Sequence, residues 1–421
     1  MKHKYNCSYK FSFCLLPIYA LTAFATIFFQ TCYAQKLNET DVTTLGINPH
    51  DNIDDSKAIQ NIINKAKPGE TLYFPKGVYI IDGPIDIMIN NITLKGEDST
   101  IFRFTNKTDY YALYKTRVAM LNICSNNVII DRLFIDQNFT GSGRKDGDDA
   151  LIAGIMIGCS YKGKAVKVSN ITVSNCTVYN YYGDGISVFH SSIDHFRVLN
   201  NTLISAYVVG KWTYAKDKGE QAINVHSGDS IAILNNVIRG ALDDAIAIHN
   251  KSKNVIIAKN DITTTAGRIL MNGTQNGTIT ENKITYIEDG GSAIWITFDW
   301  TDFDFNLNEN VSVTNNHIFV QKGIKVVSGI RLFGPGNNIT IANNTMETED
   351  KQGIGIEIRD RMQEAVKKKF FGDNIIIKNN EIKNFSRGIG RNISKQVKPP
   401  RITITDNNII NADIKYEDKQ Q

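Results

Sequence analysis

Apolar and polar residues alternate along this chain in short runs that keep returning. Asn91-Ile92-Thr93-Leu94, Asn127-Val128-Ile129-Ile130, Asn170-Ile171-Thr172-Val173 and Asn254-Val255-Ile256-Ile257 are four of eleven such segments, the last being Arg401-Ile402-Thr403-Ile404. A period of two predicts strands that bury one side. The closest copies stand 22 to 28 residues apart, and gaps near 35 to 43 read as the same unit carrying a loop insertion.

Five positions after the first apolar residue comes Asn201, Asn236, Asn260, Asn282, Asn316, Asn344, Asn380 or Asn407, with Cys176 in that slot in the third copy. Asparagine tolerates the left-handed backbone conformation, so the column predicts a bend repeated once per unit. A second strand follows, anchored by residues such as Val178, Leu203, Ile238 and Ile262. A third begins at a small residue and then alternates, as in Gly185-Ile186-Ser187-Val188, Ala222-Ile223-Asn224-Val225 and Ala245-Ile246-Ala247-Ile248.

No such unit can bury its apolar side alone, so the units must stack. Three short parallel strands per unit predict an all-β fold, a single-stranded right-handed parallel β-helix of 10–11 coils. Blades of four antiparallel strands would produce neither this spacing nor a single asparagine column.

The ends differ from the middle. Asp54 and Asp55 stand where a helix would start, Ile59, Ile62, Ile63 and Ala66 form an apolar stripe, and Pro68-Gly69 stops it. A helix there would cap the open edge of the first coil. The expected layout is a secretory signal over 1–34, a cap helix and first coil over 35–90, coils over 91–412 and a tail over 413–421. In the signal, Lys2, Lys4 and Lys10 precede an apolar stretch from Phe11 to Phe29, and Cys32-Tyr33-Ala34 offers a cleavage site. If it stays uncleaved, the same stretch is a membrane anchor; cleaved, it implies a secreted, periplasmic or cell-surface protein.

An acidic helix containing Ala-Ile-Gln, followed by Tyr73-Phe74-Pro75-Lys76-Gly77-Val78-Tyr79, resembles the opening of pectate-lyase-like proteins of the pectin lyase fold. That resemblance implies the β-helix, and it leaves the reaction open.

Charge adds exclusions. The chain has 47 basic and 43 acidic residues, and loss of the signal would remove three lysines and no acids. A nearly neutral mature protein gives no sign of a nucleic-acid partner. Cys124, Cys159 and Cys176 would remain, enough for at most one cross-coil bridge, with Cys176 as interior filler. An elongated monomer is expected rather than an oligomer.

Stacked strands lie about 4.8 Å apart, so outward side chains form columns, a ready track for a sugar polymer. On the third strand the first outward column reads Met156, Ser187, Asn224, Ala247, Leu270, Trp295, Arg331 and Glu357. The next reads Gly158, Phe189, His226, His249, Asn272, Thr297, Phe333 and Arg359. Just before the strand stand Asp184, then Glu220 and Gln221, then Asp243 and Asp244. Carboxyls and imidazoles thus converge in the middle, beside insertions carrying Trp212, Tyr214 and the acids Asp299, Asp302 and Asp304. Asp184, Asp243, Asp244, His226 and His249 are the candidate catalytic residues. Glu220, Asn224, Trp212, Tyr214, Arg268, Trp295 and Arg331 are the candidate substrate contacts.

Asp184 and Asp244, two coils apart, would be about 9 to 10 Å from each other, room for the water of an inverting glycoside hydrolase; acids one coil apart, about 5 Å, suit a retaining one. Asp243-Asp244-Ala245-Ile246-Ala247-Ile248 resembles the Asp-Asp segment of polygalacturonases, and Asp184-Gly185-Ile186 their Asp-Gly-Ile segment. The resemblance implies Asp244 or Asp243 as proton donor and Asp184 as the base. Their Gly-His-Gly and Arg-Ile-Lys segments are absent, and an extra coil separates the acids, so a polygalacturonase proper is not expected.

A lyase or C5-epimerase of uronic acid polymers is the competing chemistry, using Arg331, Arg268, His226, His249 or Lys211 and in many cases Ca²⁺. Acidic loops such as Asp146, Asp148 and Asp149 lack the spacing of a calcium motif, so no metal residue and no certain cofactor is expected. A non-catalytic polysaccharide-binding or adhesin rod is the third reading, because fold does not fix function. The expected partner is a polysaccharide, an acidic one in the lyase or epimerase reading.

Overall fold

In the computed structural model, residues 38–105, 118–138, 152–158, 167–189, 191–209, 221–249, 251–298, 307–334, 336–360, 372–393, 395 and 400–419 are described. They wind as a parallel β-helix with three faces. The first face is a 13-stranded sheet headed by Asn38–Asp41, after which twelve strands stack from Glu70–Tyr73 to Ile402–Thr405. Twelve coils therefore stand where 10–11 were expected. The second and third faces form one 22-stranded sheet, because Thr345–Arg359 and Glu381–Asn392 run round the corner between them.

The register follows the sequence columns. Ile171 pairs with Phe196, Phe196 with Ile231 and Ile231 with Val255 on the first face. Val178 pairs with Leu203, Leu203 with Ile238 and Ile238 with Ile262 on the second. These side chains are fully or almost fully buried and fill the hollow of the spiral. Gly185 explains the small residue that opens many third strands: a Cβ there would lie 2.6 Å from the Ala222 carbonyl oxygen of the next coil.

The asparagine column does something other than bend the chain. Asn201, Asn236, Asn260, Asn282, Asn316, Asn344 and Asn380 are buried and linked into a ladder. In each step Nδ2 donates to the next asparagine's Oδ1, as from Asn236 to Asn260 at 3.0 Å, and to a carbonyl one coil back, as to Val198 at 2.9 Å. The left-handed residue is the one before it: Asn200, Asn235, Lys259 and Glu281 have φ between 55° and 57°. The expected left-handed asparagine is corrected accordingly, because an amide that must reach across coils has to point inward from an ordinary backbone. Cys176, buried in the same slot, heads the ladder through its N–H to Asn201 Oδ1 at 2.9 Å. Cys124 is disulfide-bonded, and Cys159 falls outside the described residues.

The cap helix is Ser56–Lys65, with Ile59 and Ile63 buried. Asp54 rather than Asp55 supplies the capping oxygen, accepting from Ser56 N–H at 2.9 Å, while Asp55 accepts from Ile80 N–H at 3.1 Å and ties the helix to the first coil. At the other end Ile414–Lys419, expected as tail, pairs in parallel with Glu381–Asn392 as the last third-face strand. The signal segment lies outside the described residues, and among those described no helix is long and apolar enough to cross a membrane.

Candidate active site

The third face places the candidate residues on successive coils. Register pairs Ser187 with Asn224, Asn224 with Ala247, Ala247 with Leu270, Leu270 with Trp295 and Trp295 with Arg331. One step before the strand, Gly185 N–H donates to the Gln221 carbonyl and Ala222 N–H to the Asp244 carbonyl. Asp184, Gln221 and Asp244 thus occupy one column over three coils, so the backbone positions of the two acids are two coil spacings, about 9 to 10 Å, apart.

The outer side of this face is not the solvated surface that alternation predicted. Asp184 is 2% exposed, Asp244 1% and Asn224 2%, and Met156, Ser187, Ala247 and Leu270 are buried as well. Short side chains such as Ser187 and Ala247 cannot reach past larger neighbours to water, so the column forms a buried layer on the outer side of the strand.

Each carboxyl in that layer is held. Asp184 Oδ2 accepts from Ser187 Oγ at 2.7 Å and from Asn224 Nδ2 at 3.2 Å. Asp244 Oδ1 lies 2.8 Å from Arg268 Nε, and Arg268 Nη2 lies 3.5 Å from Asp243 Oδ1. Gln221 Nε2 donates to Asp243 Oδ2 at 3.3 Å and to Asp244 Oδ2 at 3.4 Å. The short Arg268–Asp244 contact is an ion pair by distance only, because Nε–H does not point at Oδ1 and neither atom has an aligned hydrogen bond.

Burial, then the neighbouring Asp243 carboxylate, push the Asp244 carboxyl well above the usual carboxylate range; the Arg268 charge opposes them. Arg268 serves two carboxyls and is misaligned with the nearer one, so burial wins. Asp243, with 36% of its side chain exposed, is the accessible member of the pair. Tyr286, fully buried one coil beyond Arg268 on the second face, has its phenol pushed up by burial, with Arg268 pulling it down and Asp244 adding to the rise.

At the far edge of the strand the rings of His226 and His249 are 5.4 Å apart, and Phe189 meets His226 edge-on at 4.6 Å. Toward the C-terminus, the Arg268 guanidinium lies over the Trp295 ring at 4.5 Å and Arg331 lies 5.7 Å from it. The chain therefore brings together Asp184, Asn224, His226, Asp243, Asp244, His249, Arg268, Trp295 and Arg331. Glu220, Trp212, Tyr214 and Lys211 fall outside the described residues, as do the acidic loops at 146–149 and 299–304.

Four residues at this site stand outside the expected set: Ser187 and Gln221, which orient the acids, Glu357, which pairs with Arg331, and Tyr286. The first three lie in the columns that the repeat spacing defines, so their signal was positional; Tyr286 belongs to the second strand and carried none.

With this geometry in hand, comparison with known proteins is informative about fold. Residues 40–140 match the family described as rhamnogalacturonase A/epimerase, pectate lyase-like, and residues 219–361 match the right-handed β-helix region. The chain is a right-handed parallel β-helix protein whose N-terminal part matches a pectate-lyase-like model. No curated protein sequence matches it significantly. Among solved structures it is similar to the surface adhesin PfbA of Streptococcus pneumoniae, with TM-score 0.62 and 15% identity over 89% of this chain and 91% of that one. The catalytic unit of an α-1,3-glucanase from Streptomyces thermodiastaticus gives 0.54 and 16%, over 89% and 69%. A mannuronan C-5 epimerase A-module from Azotobacter vinelandii gives 0.51 and 14%, over 90% and 98%. At such identities the likeness is one of fold, shared by enzymes of different chemistry and by an adhesin.

Proposed function

We propose that this protein is a secreted glycoside hydrolase that cleaves a polysaccharide by inversion on its third face. The observation that carries the reading is the single column of Asp184, Gln221 and Asp244, with two oriented acids on backbone positions two coils apart; two coil spacings, about 9 to 10 Å, fall near the upper end of the separation that leaves room for a water. Asp244, kept protonated by burial, gives its proton to the glycosidic oxygen as the bond to the anomeric carbon breaks. Asp184, oriented by Ser187 and Asn224, takes a proton from the water that attacks that carbon from the opposite side. Asp243 and Arg268 hold the acid, and His226 and His249 stand at the far edge of the strand, where imidazoles suit sugar hydroxyls.

The test is a panel of neutral and acidic polysaccharides assayed for new reducing ends and for the absorbance of an unsaturated uronic product. New ends without the chromophore fit the hydrolase, and both together would make it a lyase. Asp244→Asn and His249→Ala should lower turnover, the first by about 10² to 10⁴, with unchanged Tm. Retained turnover in both would remove the site, and binding of a glycan without turnover of any would make the protein a non-catalytic rod.

A further inference from the structure

The guanidiniums at the centre of the third face are already neutralised from within. Arg268 faces Asp243 and Asp244, while Arg331 holds Glu357 with Nε and Nη2 at 2.7 and 2.6 Å from the same oxygen. The Arg331 and Glu357 side chains are only 13% and 8% exposed, so this pair is part of the buried layer. Over the stretch of the face from Asp184 to Arg268, the described column residues are three carboxyls, Asp184, Asp243 and Asp244, against one guanidinium, and that balance stays negative with Asp244 protonated. The exposed Arg359 lies four register steps beyond His249, about 19 Å away, too far to meet a sugar held between Asp184 and Asp244.

The buried polar atoms without a protein partner point the same way. Gln221 Oε1 and Asn224 Oδ1 are buried and accept nothing from the protein. Their orientation is fixed, because each must turn its amide nitrogen toward a carboxylate: Gln221 to Asp243 and Asp244, Asn224 to Asp184. The oxygens left over can be satisfied only by a donor. A hydroxyl supplies one and an ionised carboxylate does not. Thr297 Oγ1 and Trp295 Nε1, both three coils further on and on one strand, are likewise buried without a partner and uncharged.

We propose that the central face selects a neutral, hydroxyl-rich glycan and rejects polyuronates, a specificity set by the internal pairing of Arg268 and Arg331 and by the unpartnered oxygens of Gln221 and Asn224. This rests on the carbohydrate-directed function proposed above.

The full chain is run in native gels cast with xylan, a β-glucan, an α-glucan or a mannan, and in parallel with polygalacturonate or alginate, and the same polymers are assayed for reducing ends. One of the neutral polymers should retard the protein at least about tenfold more strongly than either polyuronate, since like charges brought together in a site suppress the wrong partner. Glu357→Gln, which frees the Arg331 charge, should raise retention by polygalacturonate in a salt-sensitive way; a purely structural role for Glu357 would not. Equal or stronger retention of the wild type by a polyuronate overturns the selectivity and leaves a hydrolase reading intact. Retention by a neutral polymer with no new reducing ends keeps the selectivity and removes the hydrolase. No retention by any polymer overturns both.

Discussion

Arg268 Nε lies 2.8 Å from Asp244 Oδ1, yet the two are not joined by an aligned hydrogen bond. The arginine therefore restrains the acid through charge alone, pulling down a pKa that burial and Asp243 hold high. A raised acid loses its proton only above the ordinary carboxylate range, so the alkaline limb of the pH–rate profile should sit above that range. Arg268→Gln removes the opposing charge and should move that limb further up. A limb that stays put, or moves down, would mean that Asp244 is not the group titrating in turnover.

The asparagine ladder makes a graded prediction about stability. Asn282 donates to Ile257 O at 2.9 Å and Asn316 Oδ1 at 2.9 Å, and its own Oδ1 accepts from the Asn260 backbone and side chain at 3.0 and 2.8 Å. Asn282→Ala would strand these buried partners at a cost of about 2 to 4 kcal/mol. Asn407, the half-buried last rung, stabilises fewer neighbours, and its alanine variant should cost clearly less. Urea denaturation midpoints decide this, and equal losses at the two sites would contradict a cooperative interior ladder.

Asp55 ties the cap to the first coil, and burial raises its pKa from 3.8 to about 6 despite the Ile80 hydrogen bond. For a carboxyl raised in the folded state the protonated form is favoured, so its stabilising effect is full below the unfolded value and fades as pH rises through about 6. Asp55→Asn keeps an acceptor for Ile80 and removes the charge. It should match the wild type near about pH 4 and exceed it at neutral pH by on the order of 1 to 3 kcal/mol. Thermal melts across this window check the sign, which would be reversed if Asp55 were stabilising as a carboxylate.

Metal dependence separates the hydrolase from the lyase. Among the described residues no cluster of three His, Cys, Asp or Glu side chains forms a cation site. Cleavage should survive chelation by EDTA with less than about a twofold change, whereas a Ca²⁺-assisted lyase would lose activity and regain it on adding Ca²⁺ back. Restoration by Ca²⁺ would count directly against acid catalysis by Asp244.

Much of the candidate site could be read as register. Asp184, Asp244, His226 and His249 fall on shared columns because each coil repeats the same three-strand unit, and the His226–His249 spacing of 5.4 Å agrees with the expected coil interval. Partners that depend on side-chain direction could not be read this way. Arg268 appeared only as a substrate contact, yet it turns back along the face to Asp244; Gln221 fills the coil between the acids and orients the later one. Glu357 was visible as a column member, but its pairing with Arg331 depends on both rotamers.

The sequence by itself determined the winding: strand period, unit spacing and a recurring asparagine are local signals, and stacking identical units propagates them without long-range choice. Only the tertiary structure decided that the asparagines form an interior ladder, that the third face buries its outer side, and that its arginines are answered by its own acids. Those outcomes depend on which side chains meet across coils, where burial and charge are set by neighbours 20 to 40 residues away in the chain rather than by any single repeat.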